Sequence, residues 1–216
     1  MTTVEPFEKP RLRGHVHRAA AIAAVPAGIA LVLFARGAEA RLAAAVFAVS
    51  LLAVYGTSAI YHCGEWSARA RSILQRLDHS MIFVLIVGSF TPVALVALRP
   101  TWGIPVLATI SVGAAVGVVL MATAIHRMRR LGLVFYLSLS WAVAVSAPEL
   151  ARSLRPIELG LLAVGGVFYT AGAIMLAAGW PRLWPKIFSY HEVWHVMVVA
   201  AGACHYAVIF LVVSSA

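Results

Sequence analysis

Hydrophobic residues along the chain form seven long stretches, separated by short groups of charged residues. Each stretch has roughly 20 residues, the length at which an α-helix rising 1.5 Å per residue crosses about 30 Å of hydrocarbon. The stretches cover residues 15–35, 42–63, 79–98, 102–124, 131–149, 157–179 and 189–213. Because the connections are short, consecutive helices should be antiparallel neighbours in one bundle. The pattern predicts an all-α membrane protein, a single seven-transmembrane domain over residues 1–216.

Amino-acid composition also indicates a membrane protein. Of the 216 residues, 62% are hydrophobic and only 12% are charged, whereas an ordinary soluble domain is about 25% charged. No segment outside the seven stretches is long enough to fold as a separate domain. Abundant Ala, Val, Arg and Gly are typical of a GC-rich bacterium, so we expect a multi-pass protein of a bacterial inner (plasma) membrane.

Positively charged residues predict the orientation of the bundle, because cytoplasmic loops are enriched in Lys and Arg. With the N-terminus inside, twelve of the seventeen basic residues lie in cytoplasmic segments: Lys9, Arg11, Arg13, Arg18, Arg69, Arg71, Arg76, Arg127, Arg129, Arg130, Arg182 and Lys186. We therefore predict a cytoplasmic N-terminus and a C-terminus outside.

The net charge of +9 is explained by this topology and by contact with anionic lipid headgroups. Nucleic acid is not an expected partner, because the basic residues form no patch interleaved with aromatic residues.

Near the C-terminus, residues 191–195 read HEVWH and match the H-E-x-x-H signature of zinc peptidases. On a helix, His191 and His195 lie one turn apart on one face, and the Glu of the signature is the general base. A peptidase of this kind also needs a further ligand downstream, usually an acid, but no Asp or Glu follows Glu192. The short loops also leave no body for a soluble protease fold. We interpret the match as coincidental, apart from the H-x-x-x-H spacing.

Ionisable residues inside membrane spans are costly, which makes each of them a functional candidate. The predicted topology brings the end of span two and the beginnings of spans three and seven to the cytoplasmic side. His62, Asp78, His191 and His195 lie at these ends, at similar depth. Three neutral imidazoles on facing helices, with one coordination position left open, form a catalytic type of zinc site. His205 follows His195 by ten residues, about 15 Å along a helix, and is too far away to share the metal.

Three segments carry a family resemblance. They are KPRLRGHVHRAA at the first span, SAIYHCGEWSARARSILQRLDHSMIFVLIVGSFTPVAL across spans two and three, and HEVWHVMVVAAGACHYAVI in span seven. On these segments the chain resembles the hemolysin III branch of the progestin and adipoQ receptor (PAQR) family of seven-span proteins. Adiponectin receptors in that family are longer, with a longer cytoplasmic N-terminus, so the resemblance does not imply hormone recognition.

The resemblance implies a zinc ion near the cytoplasmic face. It implies that His62, His191 and His195 are the ligands, that Asp78 lies beside the water on the metal, and that Ser58 is a supporting group one turn before His62. Relatives in that family can carry Gln at the position of Glu192, which argues against an obligatory base there.

Two functions from different classes remain open. In the first, the protein is a zinc-dependent hydrolase of lipid amide or ester bonds, with Asp78 as the general base. A ceramide-like amide fits by analogy with the alkaline ceramidases of the wider superfamily. In the second, the zinc ties helices two and seven together, and the protein senses or regulates membrane state or permeabilises membranes. Membrane lipids are the expected partners in both cases.

Structural roles compete with these functional ones. Asp78 could serve as the N-cap of the third helix, and Ser58 could satisfy a helix carbonyl. His205 could make a hydrogen bond between helices. The basic interfacial start of the first span is assigned to Arg11, Arg13, His15, His17 and Arg18.

Overall fold

The computed structural model describes residues 9–216, and for residues 126–131 the backbone only. Among the described residues, seven helices are long and apolar enough to cross a membrane. They are α1 His15–Phe34, α2 Ala38–Cys63, α3 Ala68–Ala97, α4 Pro100–Ile125, α5 Gly132–Ser153, α6 Pro156–Ala178 and α7 Tyr190–Ser215. The predicted all-α, seven-span architecture is confirmed, and the chain is a multi-pass membrane protein.

The helices pack in chain order around the bundle. Helix α1 packs on α2, α2 on α3, α3 on α4 and α6 on α7, and a contact between α1 and α7 closes the arrangement. Helix α7 also contacts α2 and α3, so it lies where the early and late helices of the chain meet. This central position lets side chains of α7 reach residues from the first half of the chain.

Two groups of buried hydrophobic side chains hold the bundle together. One joins α3, α4 and α5 through residues such as Phe83, Ile110 and Tyr136. The other joins α1, α2 and α7 through Leu31, Phe47 and Ile209, each of which is at most 1% exposed. The second group lies on the three helices that converge at the histidine end of the bundle, where His62 closes α2 and His191 opens α7.

Helix α3 begins eleven residues earlier than the apolar stretch predicts, at Ala68 rather than at residue 79. Ser67 caps it, since its Oγ accepts a hydrogen bond from the amide of Ala70 at 3.3 Å. Asp78 is therefore the eleventh residue of the helix, and its interpretation as an N-cap is wrong. Hydropathy does not indicate this start, because the first turns of α3 carry charged residues. A capping side chain allows a helix to begin in such a polar segment, since it satisfies a free backbone amide of the first turn.

Two breaks in helix geometry shape the middle of the chain. After Pro92 the last turn of α3 becomes a π-helix over residues 93–97, consistent with the hydrogen bond that proline cannot donate. Between α4 and α5 the helix is interrupted at Ala124, where φ is −129° and ψ is 25°, values outside the helical region. The predicted boundary between spans four and five is a kink between two helices.

Residues 9–14, the N-terminal segment, lie beside the connection between α6 and α7. The amide of Arg11 donates to the carbonyl of Lys186 at 3.0 Å, and the amide of Leu12 donates to the carbonyl of Ile187 at 3.1 Å. These two bonds hold the segment against residues that directly precede α7. Residues 9–14 thus lie at the histidine end of the bundle.

The same segment also contacts the end of α2. The Lys9 ammonium donates a hydrogen bond to the backbone carbonyl of His62. Gly14 has a left-handed backbone with φ of 87°, and a Cβ at this position would lie 2.6 Å from the Cβ of His62. Glycine at position 14 is therefore required both by the turn and by the close approach to His62.

Candidate metal centre

Three histidines from two helices meet at the histidine end. His62 lies in the last turn of α2 and is 8% exposed, and His195 lies in the second turn of α7 and is 2% exposed. His191, one turn before His195, points to the same side because residues four apart share a helix face. One ring nitrogen from each lies within 4.8 Å of the others, and the Nε2 atoms of His62 and His191 are 3.2 Å apart.

The arrangement of the three rings fits a tetrahedral metal ion. Two imidazoles that bind one zinc ion, each with a Zn–N distance of about 2.0–2.1 Å, have ring centroids about 5 Å apart. The centroids here are 4.8 Å apart for His62 and His191, 5.2 Å for His62 and His195, and 4.7 Å for His191 and His195. Imidazole nitrogens suit zinc and other divalent transition metals. The three residues named from the sequence can therefore act together as a ligand set.

Asp78 and Ser58 lie beside the histidine cluster. Oδ2 of Asp78 is 3.8 Å from Nε2 of His62, and the Asp78 side chain is 16% exposed. The buried Ser58 hydroxyl hydrogen-bonds to the Asp78 carboxylate. His79 also approaches Asp78, with 3.8 Å between Nδ1 and Oδ2, and the same Nδ1 is 2.8 Å from the carbonyl of Gln75. A carboxylate supported by a hydroxyl thus stands next to one of the three imidazoles.

Glu192 makes contacts at the start of α7 and with the N-terminal segment. Its Oε2 accepts a hydrogen bond from the amide of Ser189 at 2.7 Å, which forms half of a capping box at the start of α7. Its Oε1 accepts from the guanidinium of Arg13, and the Glu192 side chain is fully buried. Both carboxylate oxygens are engaged in holding α7 and the N-terminal segment in place. The interpretation of H-E-x-x-H as a coincidence agrees with these contacts.

A family model described as Haemolysin-III related matches residues 6–206 of the chain. The chain belongs to the haemolysin-III-related family. Hemolysin-3 of Bacillus cereus is 30% identical over 221 residues, an alignment that covers 100% of this chain and 98% of the relative. Hemolysin-3 homolog of Bacillus subtilis (strain 168) is 30% identical over 190 residues, covering 87% of this chain and 86% of the relative. The resemblance inferred from three segments is confirmed along most of the chain.

In this haemolysin III-type membrane protein, His205 lies apart from the three clustered histidines. Its ring packs against α6, where a Cβ on Gly165 would lie 2.5 Å from its Cδ2. The ring centroids of His205 and Tyr169 are 5.5 Å apart in an edge-to-face arrangement. The structure therefore places His205 at the contact between α6 and α7, in agreement with the sequence expectation that it is too far away to share a metal.

In this family member a fourth histidine, His17, contacts the cluster. Its predicted location at the membrane interface is wrong. His17, expected at the basic membrane interface, is only 3% exposed, and its ring stacks on that of His195. Arg13 likewise turns inward to Glu192. The sequence does contain a signal for His17, because it shares one face of α1 with the buried Ala24 and Leu31 at intervals of seven residues, or two helix turns.

Proposed function

We propose that this haemolysin III-type protein is a zinc-dependent hydrolase of lipid amide or ester bonds that contributes to membrane homeostasis. The observation that carries the proposal is the cluster of His62, His191 and His195, with ligand nitrogens within 4.8 Å of one another and the Asp78 carboxylate 3.8 Å from His62. Three imidazoles leave one position of a tetrahedral ion for water or substrate, which is the arrangement of catalytic zinc sites.

In the proposal, the three histidines hold the zinc ion as neutral nitrogen ligands. When bound, zinc lowers the pKa of a coordinated water towards about 7 and polarises the carbonyl group of the scissile bond. The Asp78 carboxylate accepts a proton from the attacking water at Oδ2 and returns it to the nitrogen or oxygen of the leaving group. A C–O bond from the water forms, and the C–N or C–O bond of the lipid breaks. The Ser58 hydroxyl holds the carboxylate by a hydrogen bond.

The proposed substrates are lipids, because the cluster is near one end of a bundle that otherwise presents apolar helices. We place this end at the cytoplasmic face of the inner membrane, following the distribution of Lys and Arg. A cavity of about 570 Å³ at this end is lined by Lys9, Arg11, Lys186 and Ile187. Cationic side chains at headgroup depth attract anionic lipids, so they favour the approach of lipid headgroups to the histidine end.

A paired measurement tests the hydrolase. The zinc content of detergent-purified wild type, His195→Ala, Asp78→Asn and the exposed-site control His15→Ala is compared, and fatty acid released from ceramides and phospholipids is then quantified for each. We expect stoichiometric zinc in wild type and its loss in His195→Ala. Asp78→Asn should retain zinc and lose about 10²- to 10⁴-fold in turnover, the usual contribution of a general base. His15→Ala should match wild type in both.

A non-enzymatic function is the second candidate, and two observations favour it. A metal bound by His62 on α2 and by His191 and His195 on α7 would join two helices, as structural zinc does, and both relatives carry the name Hemolysin-3 or Hemolysin-3 homolog. Such a protein would sense or regulate membrane state, or permeabilise membranes. Stoichiometric zinc without turnover on any lipid in the panel would favour this second function. Absence of zinc from wild type after supplementation would contradict both.

A further inference from the structure

The ring of His17 lies face to face with the ring of His195. The ring centroids are 3.9 Å apart and the ring planes differ by 14°. His17 belongs to the first turn of α1, whereas His195 belongs to α7, so this contact joins the two helices that close the bundle. On its other side the His17 ring is 5.2 Å from that of Tyr55 on α2. The ring is thus confined between α2 and α7 and is 3% exposed.

The stacked geometry distinguishes His17 from a fourth ligand. Rings that share a tetrahedral zinc ion have centroids about 5 Å apart, and the three pairs within the cluster lie at 4.7 to 5.2 Å. At 3.9 Å and nearly parallel, His17 covers the face of His195 instead of pointing to the same centre. His17 therefore contacts a member of the ligand set through its ring face.

Among the residues that the structure describes, none makes the hydrogen bond to His195 Nδ1 that usually orients a histidine ligand. A metal-binding imidazole commonly donates its other ring N–H to a carboxylate, a carbonyl or water, which fixes the orientation of the ring. In the described part of the chain, the buried Nδ1 of His195 has no hydrogen-bond partner. The stacked ring of His17 covers one face of the His195 ring, so it is in a position to limit rotation of that side chain.

We propose that His17 is a positioning residue for the metal centre: the face of its ring holds the His195 imidazole in its metal-binding orientation. Both ring nitrogens of His17 are buried, and neither has a hydrogen-bond partner of good geometry among the described residues. The ring also approaches the backbone of His195, and its face is what contacts the His195 side chain. The inference rests on the proposed metal site. With His17, helix α1 contributes to a centre whose other residues lie on α2, α3 and α7.

The test compares three substitutions of His17 that separate ring stacking from hydrogen bonding. His17→Ala removes both, His17→Phe keeps an aromatic face without nitrogens, and His17→Gln keeps polar atoms without a ring. Zinc affinity is measured by competition with a chelator, and the absorption spectrum of the Co²⁺-loaded protein reports the ligand geometry. His15→Ala, an exposed histidine on the same helix, is the control.

We expect His17→Ala and His17→Gln to bind zinc 10- to 100-fold more weakly, the usual effect of losing a group that orients a ligand, with an altered Co²⁺ spectrum. His17→Phe should recover most of the affinity, and His15→Ala should match wild type. Wild-type affinity in His17→Ala, or recovery by Gln and not by Phe, would overturn the inference. If the larger Phe does not fold, equal loss in Ala and Gln still supports it, and recovery by Gln still contradicts it.

These outcomes are distinguishable from failure of the proposed function. A wild-type protein that binds zinc, with the metal lost in His191→Ala, supports the metal site whatever the His17 variants do. Failure of the positioning role appears only as unchanged affinity and spectrum in those variants. A wild-type protein without zinc contradicts the metal site itself, and the role of His17 with it.

Discussion

At the scale of single residues, the immediate neighbours of a side chain decide what it does. Glu192 occupies the position of a peptidase base, yet its oxygens bind Ser189 and Arg13. His17 has the sequence surroundings of an interfacial residue, yet it is buried against His195. The contact of Glu192 with Ser189 belongs to a local capping box. Arg13 and His195, the other partners of Glu192 and His17, lie far away in the sequence, and local motifs do not represent such contacts.

Substitutions of Glu192 separate the capping role from a catalytic one. Glu192→Ala leaves the side chain of Arg13, which is only 15% exposed, without its partner, and it also removes half of the capping box of α7. Removal of one member of a buried ion pair costs about 3–5 kcal/mol, so thermal unfolding in detergent should show a large loss of stability. Glu192→Gln retains an acceptor for the Ser189 amide and should be destabilised less.

The same two variants also test the catalytic interpretation. Both should keep zinc in the fraction that remains folded, because Glu192 does not belong to the clustered histidines. A Glu192→Gln protein with full zinc content, wild-type stability and no turnover would show that the carboxylate acts in the reaction and that the capping interpretation is incomplete.

Two glycines with positive φ allow a comparison at the metal centre. Gly14 has φ of 87° and ψ of −16°, and Gly37 has φ of 85° and ψ of 163°. Alanine is strained at both positions, by about 1–3 kcal/mol or more, and the strain is larger at Gly37, whose backbone region is essentially restricted to glycine. A Cβ at position 14 would lie 2.6 Å from Cβ of His62, whereas a Cβ at position 37 would meet nothing within 4 Å. We expect Gly14→Ala to weaken zinc binding and Gly37→Ala to lower stability alone. Equal zinc affinity in both variants would exclude a coupling between the N-terminal segment and His62.

At the scale of helices, the predicted spans are confirmed. The end of a helix differs from its prediction where turns with polar side chains belong to the helix. Helix α3 starts at Ala68 because Ser67 caps it. Its early start places Asp78 within a helix, where the side chain has a defined direction towards Ser58 and His62. The close approach of α6 and α7 at His205 depends on Gly165, where a Cβ would lie 2.5 Å from the His205 ring.

Adjacent glycines on α6 test the packing of α6 against α7. A Cβ on Gly165 would lie 2.5 Å from the His205 ring, while a Cβ on Gly166 would meet nothing within 4 Å. Gly165→Ala should lose about 1–3 kcal/mol through overpacking, and Gly166→Ala should be neutral or gain up to about 1 kcal/mol through its helix preference. Unfolding in detergent measures both. Similar stabilities of the two variants would contradict the close approach of α6 and α7 at His205.

At the scale of the whole molecule, the bundle brings together residues that are far apart in sequence. His62 and His191 are 129 positions apart, and their rings meet because α7 packs against both α1 and α2. The N-terminal segment adds contacts to the ends of α2 and α7. The candidate site therefore depends on the packing of α1, α2, α3 and α7 together.

The proposed orientation of the bundle makes a prediction for reporter fusions. Alkaline phosphatase, which folds to its active form outside the cytoplasm, should be active when fused after Ala216 and inactive when fused after Lys186. Green fluorescent protein fused at the same two positions should give the opposite result. The expectation follows from the distribution of the seventeen basic residues. An active phosphatase at Lys186 would reverse the topology and move the histidine end to the other face of the membrane.

The sequence by itself determined the number of spans, their approximate limits, the family and the three clustered histidines. These follow from the length of apolar stretches, which membrane thickness dictates, and from side chains whose burial in a membrane is too costly to be incidental. Only the tertiary structure decided the contact of His17 with His195 and that of Arg13 with Glu192. Their partners lie on other helices or segments, and helix periodicity describes the faces of one helix at a time; which faces meet is set by the packing of all seven.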